Sequence, residues 1–154
     1  MTSAPTSLPA FFADLVRCET RLYNALNDRL RDRHGLVTSQ FEALRYLRDH
    51  PGSRVADLAA EFAIGIGAAS KSVDRLEKQG WAGRQPNPSD RRSSLLSLTD
   101  EGSRLLDEAE RTFAEALAEL VGEALDAPAL AAAADSLATL RASLERARIG
   151  TPLG

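Results

Sequence analysis

The 154-residue sequence has little of what disulfide, metal and membrane proteins depend on. Its one cysteine, Cys18, has no partner for an internal disulfide, and its two histidines, His34 and His50, offer no metal-ligand spacing. No apolar run approaches the roughly 18 residues that a membrane-spanning helix needs, and no basic residue precedes the first apolar stretch, as it would in a secretory signal. We therefore expect a cytoplasmic protein without a cofactor, a structural metal or membrane contact.

Common enzyme motifs are missing as well. The sequence has no glycine-rich phosphate loop, no nucleophile elbow and no paired-histidine site. Asp90 stands beside arginines rather than beside a second carboxylate. We therefore expect that the chain is not an enzyme.

Charge is distributed unevenly along a chain whose net charge is -3. Residues 1–65 hold eight basic and eight acidic side chains, residues 94–154 hold five basic and eleven acidic ones, and residues 66–93 hold six basic against three acidic. Affinity for phosphate depends on the cations at the contact rather than on the charge of the whole chain. The middle segment is therefore a candidate DNA-facing surface, with a solvated basic face as the alternative.

The first third of the chain has the apolar periodicity of amphipathic helices. A first helix is expected to end at Gly35, and its apolar positions are Leu8, Phe12, Leu15, Cys18, Leu22, Leu26 and Leu30. Thr38 or Ser39 is expected to cap a second helix, which ends at Pro51 and Gly52. A short third helix carries Val55, Leu58, Ala59 and Phe62.

A glycine-containing turn separates the third helix from a basic fourth helix. Gly65 and Gly67 in the segment AIGIG are expected to form this turn. The inward face of the fourth helix is apolar, with Ala69, Val73 and Leu76. Its opposite face is polar and mostly basic, with Ser70, Lys71, Asp74, Arg75 and Lys78.

A hairpin and two further helices follow. The segments WAGRQ (81–85) and SLLSL (94–98) predict two strands joined by a loop with prolines, asparagine, aspartate and two arginines. Thr99 is expected to cap a fifth helix, whose stripe is Leu105, Ala109, Phe113, Ala116, Leu117 and Leu120. Asp126 and Pro128 open a sixth helix, whose stripe is Leu130, Leu137, Leu140 and Leu144.

The order of these elements predicts a mainly α (α+β) fold, a winged helix-turn-helix with a two-stranded wing and N- and C-terminal dimerisation helices. Residues 36–99 would form the DNA-binding domain, and residues 1–34 and 100–150 the helical dimerisation region. Four leucines lie on stripes that are too apolar for solvent and too far along the chain to serve the winged domain. We expect them to be dimer contacts: Leu117, Leu120, Leu137 and Leu140.

The segment DRRSSLLSLTDEG resembles a motif of the multiple antibiotic resistance regulator (MarR) family of bacterial transcription factors. That family has an aspartate, one residue, an arginine, five residues, then Leu-Thr and a glycine. The matching residues here are Asp90, Arg92, Leu98, Thr99 and Gly102. The segment VDRLEKQGWAGR, residues 73–84, is also similar to the end of the family's recognition helix and its first wing strand.

The resemblance implies that the fourth helix enters the major groove of double-stranded DNA. Ser70 and Lys71 would reach base edges, and Arg75 would contact phosphate. Gly67 and Ala68 stand where the family often has polar residues. Specificity would therefore depend more on apolar contact with thymine methyl groups and on DNA shape.

The resemblance also implies a role for the wing. Arg92 at its tip would enter the minor groove, with Asp90 holding the arginine or the loop in place. Arg84 and Arg91 would add phosphate contacts. The alternative is a surface ion pair between Asp90 and Arg92 that only closes the hairpin.

The family resemblance implies a ligand-responsive repressor that binds a palindromic operator as a homodimer, with half-site centres about 10 base pairs apart. Family members commonly sense small aromatic or phenolic effectors in a cleft between the dimerising helices and the winged domain. Five residues could line such a cleft or lie equally well on a surface or interface: Tyr23, Tyr46, Arg45, His34 and His50.

Two other functions stay open. One is a thiol-based redox sensor acting through Cys18, although the place of this residue on the apolar side of the first helix favours a buried, inert thiol. The other is a winged-helix module that docks proteins. A docking module has no need of arginines at the wing tip, so the wing favours DNA.

Overall fold

The structure, a computed structural model, describes residues 4–152. Its elements are α1 (Leu8–His34), α2 (Thr38–Asp49), α3 (Val55–Glu61), α4 (Ile66–Lys78), β1 (Ala82–Pro86), β2 (Ser94–Leu98), α5 (Asp100–Leu117), a π-helical turn (Ala118–Gly122) and α6 (Ala127–Arg146). The predicted fold class, a winged helix-turn-helix with a two-stranded wing, is confirmed. Residues 1–3 of the predicted dimerisation region lie outside the described residues, and the boundaries of the two predicted regions stay a prediction.

The first helix begins and ends as its sequence predicts. The Ser7 hydroxyl accepts a hydrogen bond from the Ala10 N–H (3.3 Å), and Pro9 lies in the first turn, where a proline costs no helical hydrogen bond. At the other end Gly35 takes φ +70°, and its N–H donates to the Arg31 carbonyl. This left-handed residue ends α1 and turns the chain towards α2.

The predicted cap of α2 is wrong, because Val37 and not Thr38 or Ser39 precedes the helix. Thr38 is the first helical residue, and its N–H donates to the Asn27 side-chain oxygen (2.7 Å). The Val37 N–H donates to the Gln40 side chain (3.0 Å). Partners from α1 and from the helix itself satisfy the first amides, so a hydroxyl cap is not needed.

The turn before α4 also differs from the prediction. Gly65 precedes the helix as expected, but Gly67 lies inside its first turn. The left-handed residue is Ala63, with φ +50°. It follows the end of α3, where the Ile64 N–H donates to the Ala59 carbonyl (3.0 Å) and so closes the helix terminus.

The wing is an antiparallel pair in which Ala82 faces Leu98 and Pro86 faces Ser94. The second strand is as predicted, whereas the first begins one residue later than predicted, at Ala82, and Trp81 before it lies in the core. The segment after α2 adds a short bridge, in which the Leu96 N–H donates to the Ser53 carbonyl (2.7 Å). This bridge fixes the base of the wing to the end of α2.

One hydrophobic core joins α1, α2, α3, α4, the wing and α5. Its fully buried large side chains are Phe41, Leu30, Leu36, Leu44, Leu47, Leu76, Leu96, Leu106 and Val73. Phe41 stacks on Phe113 with ring centroids 4.4 Å apart, which fastens α2 to α5. Leu106 is fully buried, while the predicted stripe residue Leu105 is only half-buried at the edge of the core.

Two segments stay outside this core. No residue of α6 is buried, and the first half of α1 has none either. Exposed apolar side chains mark both segments: Leu8, Phe11, Phe12, Val16, Leu130, Leu137, Leu140 and Leu144. Within residues 4–152 no helix has the length and apolar content that spanning a membrane requires.

Candidate nucleic-acid interface

Helix α4 presents two different faces. Ala69, Val73 and Leu76 are each 1% exposed and hold the helix on the core, as their spacing predicted. On the other side Lys71 and Arg75 are exposed, and Ser70 is half-buried. A helix fixed along one side in this way offers a rigid outer surface that carries cationic side chains.

The start of α4 has no side-chain cap, and its exposed residues are apolar or glycine. Gly65 gives it no side-chain cap, and Gly67 and Ala68 are exposed. Ile66 is 59% exposed although it is a large apolar residue. The first N–H groups of this helix therefore have no side-chain partner, and an isoleucine side chain projects beside them.

Arg84 connects the wing to α4. This half-buried side chain of β1 pairs with Asp74, and its Nε lies 3.6 Å from Glu77 Oε1. Asp74 and Glu77 are the only acidic residues of α4. One arginine therefore balances both carboxylates of the helix and fixes the angle of the wing against it.

Three cations of α4 are left without an acidic partner. Among residues 4–152 no carboxylate lies within 4 Å of Lys71, Arg75 or Lys78. All three are exposed. Their charge is therefore available to an external anion.

The loop at the wing tip is shaped by two side chains. The Asn87 side-chain oxygen accepts from the Ser89 N–H (3.0 Å), and its amide nitrogen donates to the Ser93 hydroxyl (2.9 Å). The Asp90 carboxylate accepts from the Arg92 backbone N–H (2.9 Å). The bonds to the Ser89 and Arg92 N–H groups are local side-chain to backbone turns, and the bond to Ser93 joins the two ends of the loop.

The arginines at the wing tip are exposed, and the described part of the chain places no carboxylate within ion-pair distance of Arg91 or Arg92. Asp90 touches Arg92 through the backbone and not through the guanidinium. Of the two roles considered for this aspartate, the geometry supports shaping of the loop over holding of the arginine side chain. Its contact also differs from the ion pair considered as the alternative.

Arg54 is a basic residue near the wing that the sequence did not single out. It lies just before α3, where its guanidinium donates to Asp57 (3.1 Å) and this hydrogen bond raises the pKa of Arg54. Asp90 adds a smaller attraction that acts in the same direction, and the bridge between Ser53 and Leu96 places Arg54 beside the base of the wing. A lone arginine in a turn has no periodicity that could have revealed this position.

A cavity of about 730 Å³ lies behind α4. Every α-helix contributes to its wall, and α4 does so through Ala69, Ser72, Val73 and Leu76. Of the five residues considered for a ligand cleft, Tyr23 lines this cavity and the other four do not.

Those four residues make other contacts. Tyr46 stacks on His50 with ring centroids 4.2 Å apart. Arg45 lies 5.8 Å from the ring centre of Phe41, and His34 hydrogen-bonds the Thr112 hydroxyl (2.7 Å). The first two contacts are local to α2 and its C-terminal end, whereas the contact of His34 with Thr112 joins α1 to α5.

The expectation of a buried Cys18 is wrong for the single chain. Its side chain is exposed and lies on the cavity wall. The apolar side of α1 around it is not covered by another element, because the core begins further along the helix at Leu26. In residues 4–152 no group of three histidine, cysteine or acidic side chains could hold a metal ion.

Comparison with known proteins finds similarity to one family of regulators. Residues 36–94 match the model of the MarR family. The multiple antibiotic resistance protein MarR of Escherichia coli strain K12 is 26% identical over 129 residues, which cover 81% of this chain and 85% of that protein. The chain is therefore similar to the MarR family over the segment 36–94 and to one of its members over most of its length. This similarity agrees with the expected class of regulator.

Other MarR-family proteins extend the comparison. The protein MarR of Salmonella typhimurium is 29% identical over 91 residues, a match that spans 56% of this chain and only 63% of that relative's length. The crystal structure of Sco3205, a MarR family transcriptional regulator from Streptomyces coelicolor in complex with DNA, has a TM-score of 0.84 and 24% identity. That likeness covers 98% of both chains, so the fold is shared along almost the whole length.

The remaining MarR motif residues have structural roles at the base of the wing. The Thr99 hydroxyl accepts from the Gly102 N–H (3.0 Å) and donates to the Gly80 carbonyl (2.6 Å). A Cβ atom on Gly102 would overlap the Trp81 carbonyl, so only glycine fits there. The motif therefore fixes the start of α5 against the junction between α4 and β1.

Proposed function

We propose that this chain is a transcriptional regulator that binds double-stranded DNA through α4 and the wing. The observation that carries the proposal is a set of five exposed cations without acidic partners in the described chain: Lys71, Arg75, Lys78, Arg91 and Arg92. They are concentrated on α4 and the wing tip of a protein whose net charge is -3. A local excess of this kind is what phosphate binding requires. The Streptomyces relative in complex with DNA supports the same function.

On α4, we assign base contact to Ser70 and Lys71 and phosphate contact to Arg75. Ile66 adds a contact that the sequence alone did not suggest. Its exposed side chain at the start of the helix suits the methyl group of thymine. The helix start would then select for thymine by apolar contact and not by hydrogen bonds.

At the wing, we assign Arg92 to the minor groove and Arg91 to phosphate. Asp90 orders the loop that carries both arginines, through its bond to the Arg92 N–H. Arg84 was expected to contact phosphate. The pairing of Arg84 with Asp74 and Glu77 gives this arginine a second role, because the ion pairs would hold the wing at a fixed angle to α4.

We further propose that the regulator acts as a homodimer on a palindromic operator. The apolar residues of α6 and of the first half of α1 have no cover within the chain. A two-fold dimer would bury them and would place two copies of α4 in major grooves about one helical turn apart. Binding of this kind at a promoter would repress transcription.

We also propose that an effector in the cavity controls DNA binding. The cavity touches the inner face of the helix whose outer face is assigned to DNA. Its volume of about 730 Å³ falls within the range of ~300–1000 Å³ found for small-molecule sites. An occupant that moved α4 would change the spacing of the two recognition helices in the dimer.

Selection from a random pool of 40-base-pair duplexes tests the DNA proposal without knowledge of the operator. We expect enrichment of palindromic sites whose half-sites lie about 10 base pairs apart. Arg75→Ala provides a variant that should enrich poorly. Weak, sequence-blind retention would instead favour the winged-helix docking module, and enrichment of single half-sites would contradict the dimer.

A further inference from the structure

The cavity behind α4 has an unusual charge balance for a pocket that is otherwise apolar. Its wall contains two ionisable acids, Glu19 and Glu42, and not one lysine, arginine or histidine among the lining residues, all of which the structure describes. The remaining wall is largely leucine, phenylalanine, valine and alanine. The side chains of the wall therefore have a negative charge balance, which favours a cationic ligand over an anionic one.

The two acids line the cavity together with Tyr23, which lies one helical turn after Glu19 on α1. Burial raises the pKa of the Tyr23 hydroxyl, and the charges of Glu42 and Glu19 act in the same direction. The phenol therefore stays neutral at physiological pH. A polar group that enters near these residues meets a hydroxyl and two carboxylates.

The carboxylates differ in how far they are already neutralised. Glu42 has Arg45 at 3.7 Å, outside the cavity wall. Glu19 has no cationic ion-pair partner in the described chain, and its carboxylate accepts a hydrogen bond from the Thr20 hydroxyl (3.4 Å). Glu19 therefore carries the larger unbalanced charge towards the cavity.

We propose that this cavity binds a lipophilic cation, an amine or quaternary ammonium with an apolar body, and that it disfavours aromatic carboxylates. The cationic group would lie beside Glu19, Glu42 and Tyr23, where a tyrosine face also attracts cations. The apolar body would fill the space between α1 and α4, against Leu22 and Val73. The effect of this ligand on DNA rests on the proposed function, whereas its binding to the cavity does not.

Calorimetric titration of the full chain with three probes of matched shape tests the proposal. The probes are (2-naphthylmethyl)trimethylammonium, 2-naphthylmethanol and 2-naphthylacetate. We expect the cation to bind at least tenfold more tightly than the anion, with the alcohol between them. Equal affinities, tighter binding of the anion or no binding of the cation would overturn the proposal.

Variants locate the charge that is responsible. Glu19→Gln should lower the affinity for the cation roughly five- to tenfold, the effect of one charge in a partly solvated site, and leave the affinity for the alcohol unchanged. Asp32→Asn is the matched control, because it removes one charge from an exposed position on the same helix away from the cavity wall. Equal losses of affinity for the cation in both variants would indicate that the net charge of the protein attracts it. That result would contradict a specific binding site at Glu19.

The only cysteine of the chain reports where the probe binds. Cys18 is exposed on the cavity wall, so the bound cation should slow its reaction with N-ethylmaleimide. If a saturating concentration of the cation did not slow the reaction of Cys18, the probe would bind elsewhere and the proposal would be overturned. Retention of duplex DNA by the ligand-free protein, measured separately, distinguishes this failure from failure of the proposed regulatory function.

Discussion

Arg84 of β1 pairs with Asp74 of α4, and this contact joins the wing to that helix. The same guanidinium lies near Glu77, so the acids of α4 are turned towards the wing strand. The cations Lys71 and Arg75 keep their full charge on the outer face. The arrangement separates the charges of one short helix into an internal contact and an outward cationic surface.

We therefore predict opposite effects for the two partners of this contact. Asp74→Asn should strengthen binding to random duplexes two- to fivefold at low salt, because it removes a negative charge near the phosphates. Arg84→Met should weaken binding, because it removes a cation and frees the wing. Fluorescence anisotropy at 50 and 200 mM salt measures both effects. Weaker binding by Asp74→Asn would show that the ion pair matters more than the charge near DNA.

The wing and the recognition helix should differ in how their arginines act. Arg92→Ala should cost about 1 to 3 kcal/mol on the operator and relax preference at its outer flank, as expected for a minor-groove contact. Arg75→Ala should weaken specific and random DNA alike. It should also lower the log-log salt slope by about 0.9 for each phosphate that the variant no longer neutralises, with two copies in a dimer.

Titration of both variants against operator and scrambled duplexes over several salt concentrations separates these effects. Asp90→Ala is a useful companion, because it keeps both wing arginines but removes the bond to the Arg92 N–H. It should reproduce part of the Arg92→Ala effect. Unchanged operator affinity for Arg92→Ala would contradict the assignment of this arginine to the minor groove.

The exposed apolar stripe of α6 predicts a dimer interface that a charged substitution would disrupt. Leu137 is 46% and Leu140 37% exposed in the single chain. Leu137→Glu or Leu140→Glu should give monomers with weak operator binding, because an interface would bury the new charge unpaired. Arg146→Glu, a charge change near the exposed end of the same helix, is the control. Sedimentation that found intact dimers for both leucine variants would rule out these contacts.

Much of the fold could be predicted because its helices have regular apolar spacing. The inner face of α4 and the end of α1 at Gly35 follow directly from the positions of apolar residues and glycine. The choice between Leu105 and Leu106 could not be made in this way. Both lie near the inner side of α5, and only the packing against the core decides which is fully buried.

The less predictable features depend on contacts between distant segments. The bridge between Ser53 and Leu96 and the ion pair of Arg84 with Asp74 join residues that no local pattern connects. The exposure of Cys18 likewise depends on what covers α1, and apolar spacing alone does not tell an intrachain partner from a second copy. For the candidate DNA site, the sequence predicted which residues stand on α4 and the wing, but not that Arg84 faces acids.

The left-handed alanine between α3 and α4 predicts a stabilising substitution. Ala63 has φ +50°, a conformation that costs an L-residue roughly 1–2 kcal/mol. Ala63→Gly removes that cost but loses about 0.5–1 kcal/mol through the greater freedom of glycine in the unfolded chain. The free energy of unfolding should therefore rise by about 0.5 kcal/mol in urea denaturation. Ala60→Gly in α3 is the matched control and should lower it.

The start of α3 predicts a pH dependence of stability that can be assigned to one carboxylate. Asp57 accepts from the Arg54 side chain and from the Arg54 N–H (2.8 Å), and these hydrogen bonds hold the pKa of Asp57 below its usual value. A carboxylate whose pKa is lowered by folding stabilises the folded state above its unfolded pKa of about 3.9. This contribution is lost as the pH falls through the folded pKa.

Asp57→Ala should therefore lower the melting temperature at pH 6 and have a smaller effect at pH 3. The loss at pH 6 should be about 1 kcal/mol, the usual cost of removing a side chain that satisfies an N–H at a helix start. Asp32→Asn, at an exposed position with no ion pair or hydrogen bond in the described chain, should change little at either pH. An equal loss at both pH values would mean that the carboxyl group stabilises α3 without its charge, and that the lowered pKa of Asp57 has no part in folding stability.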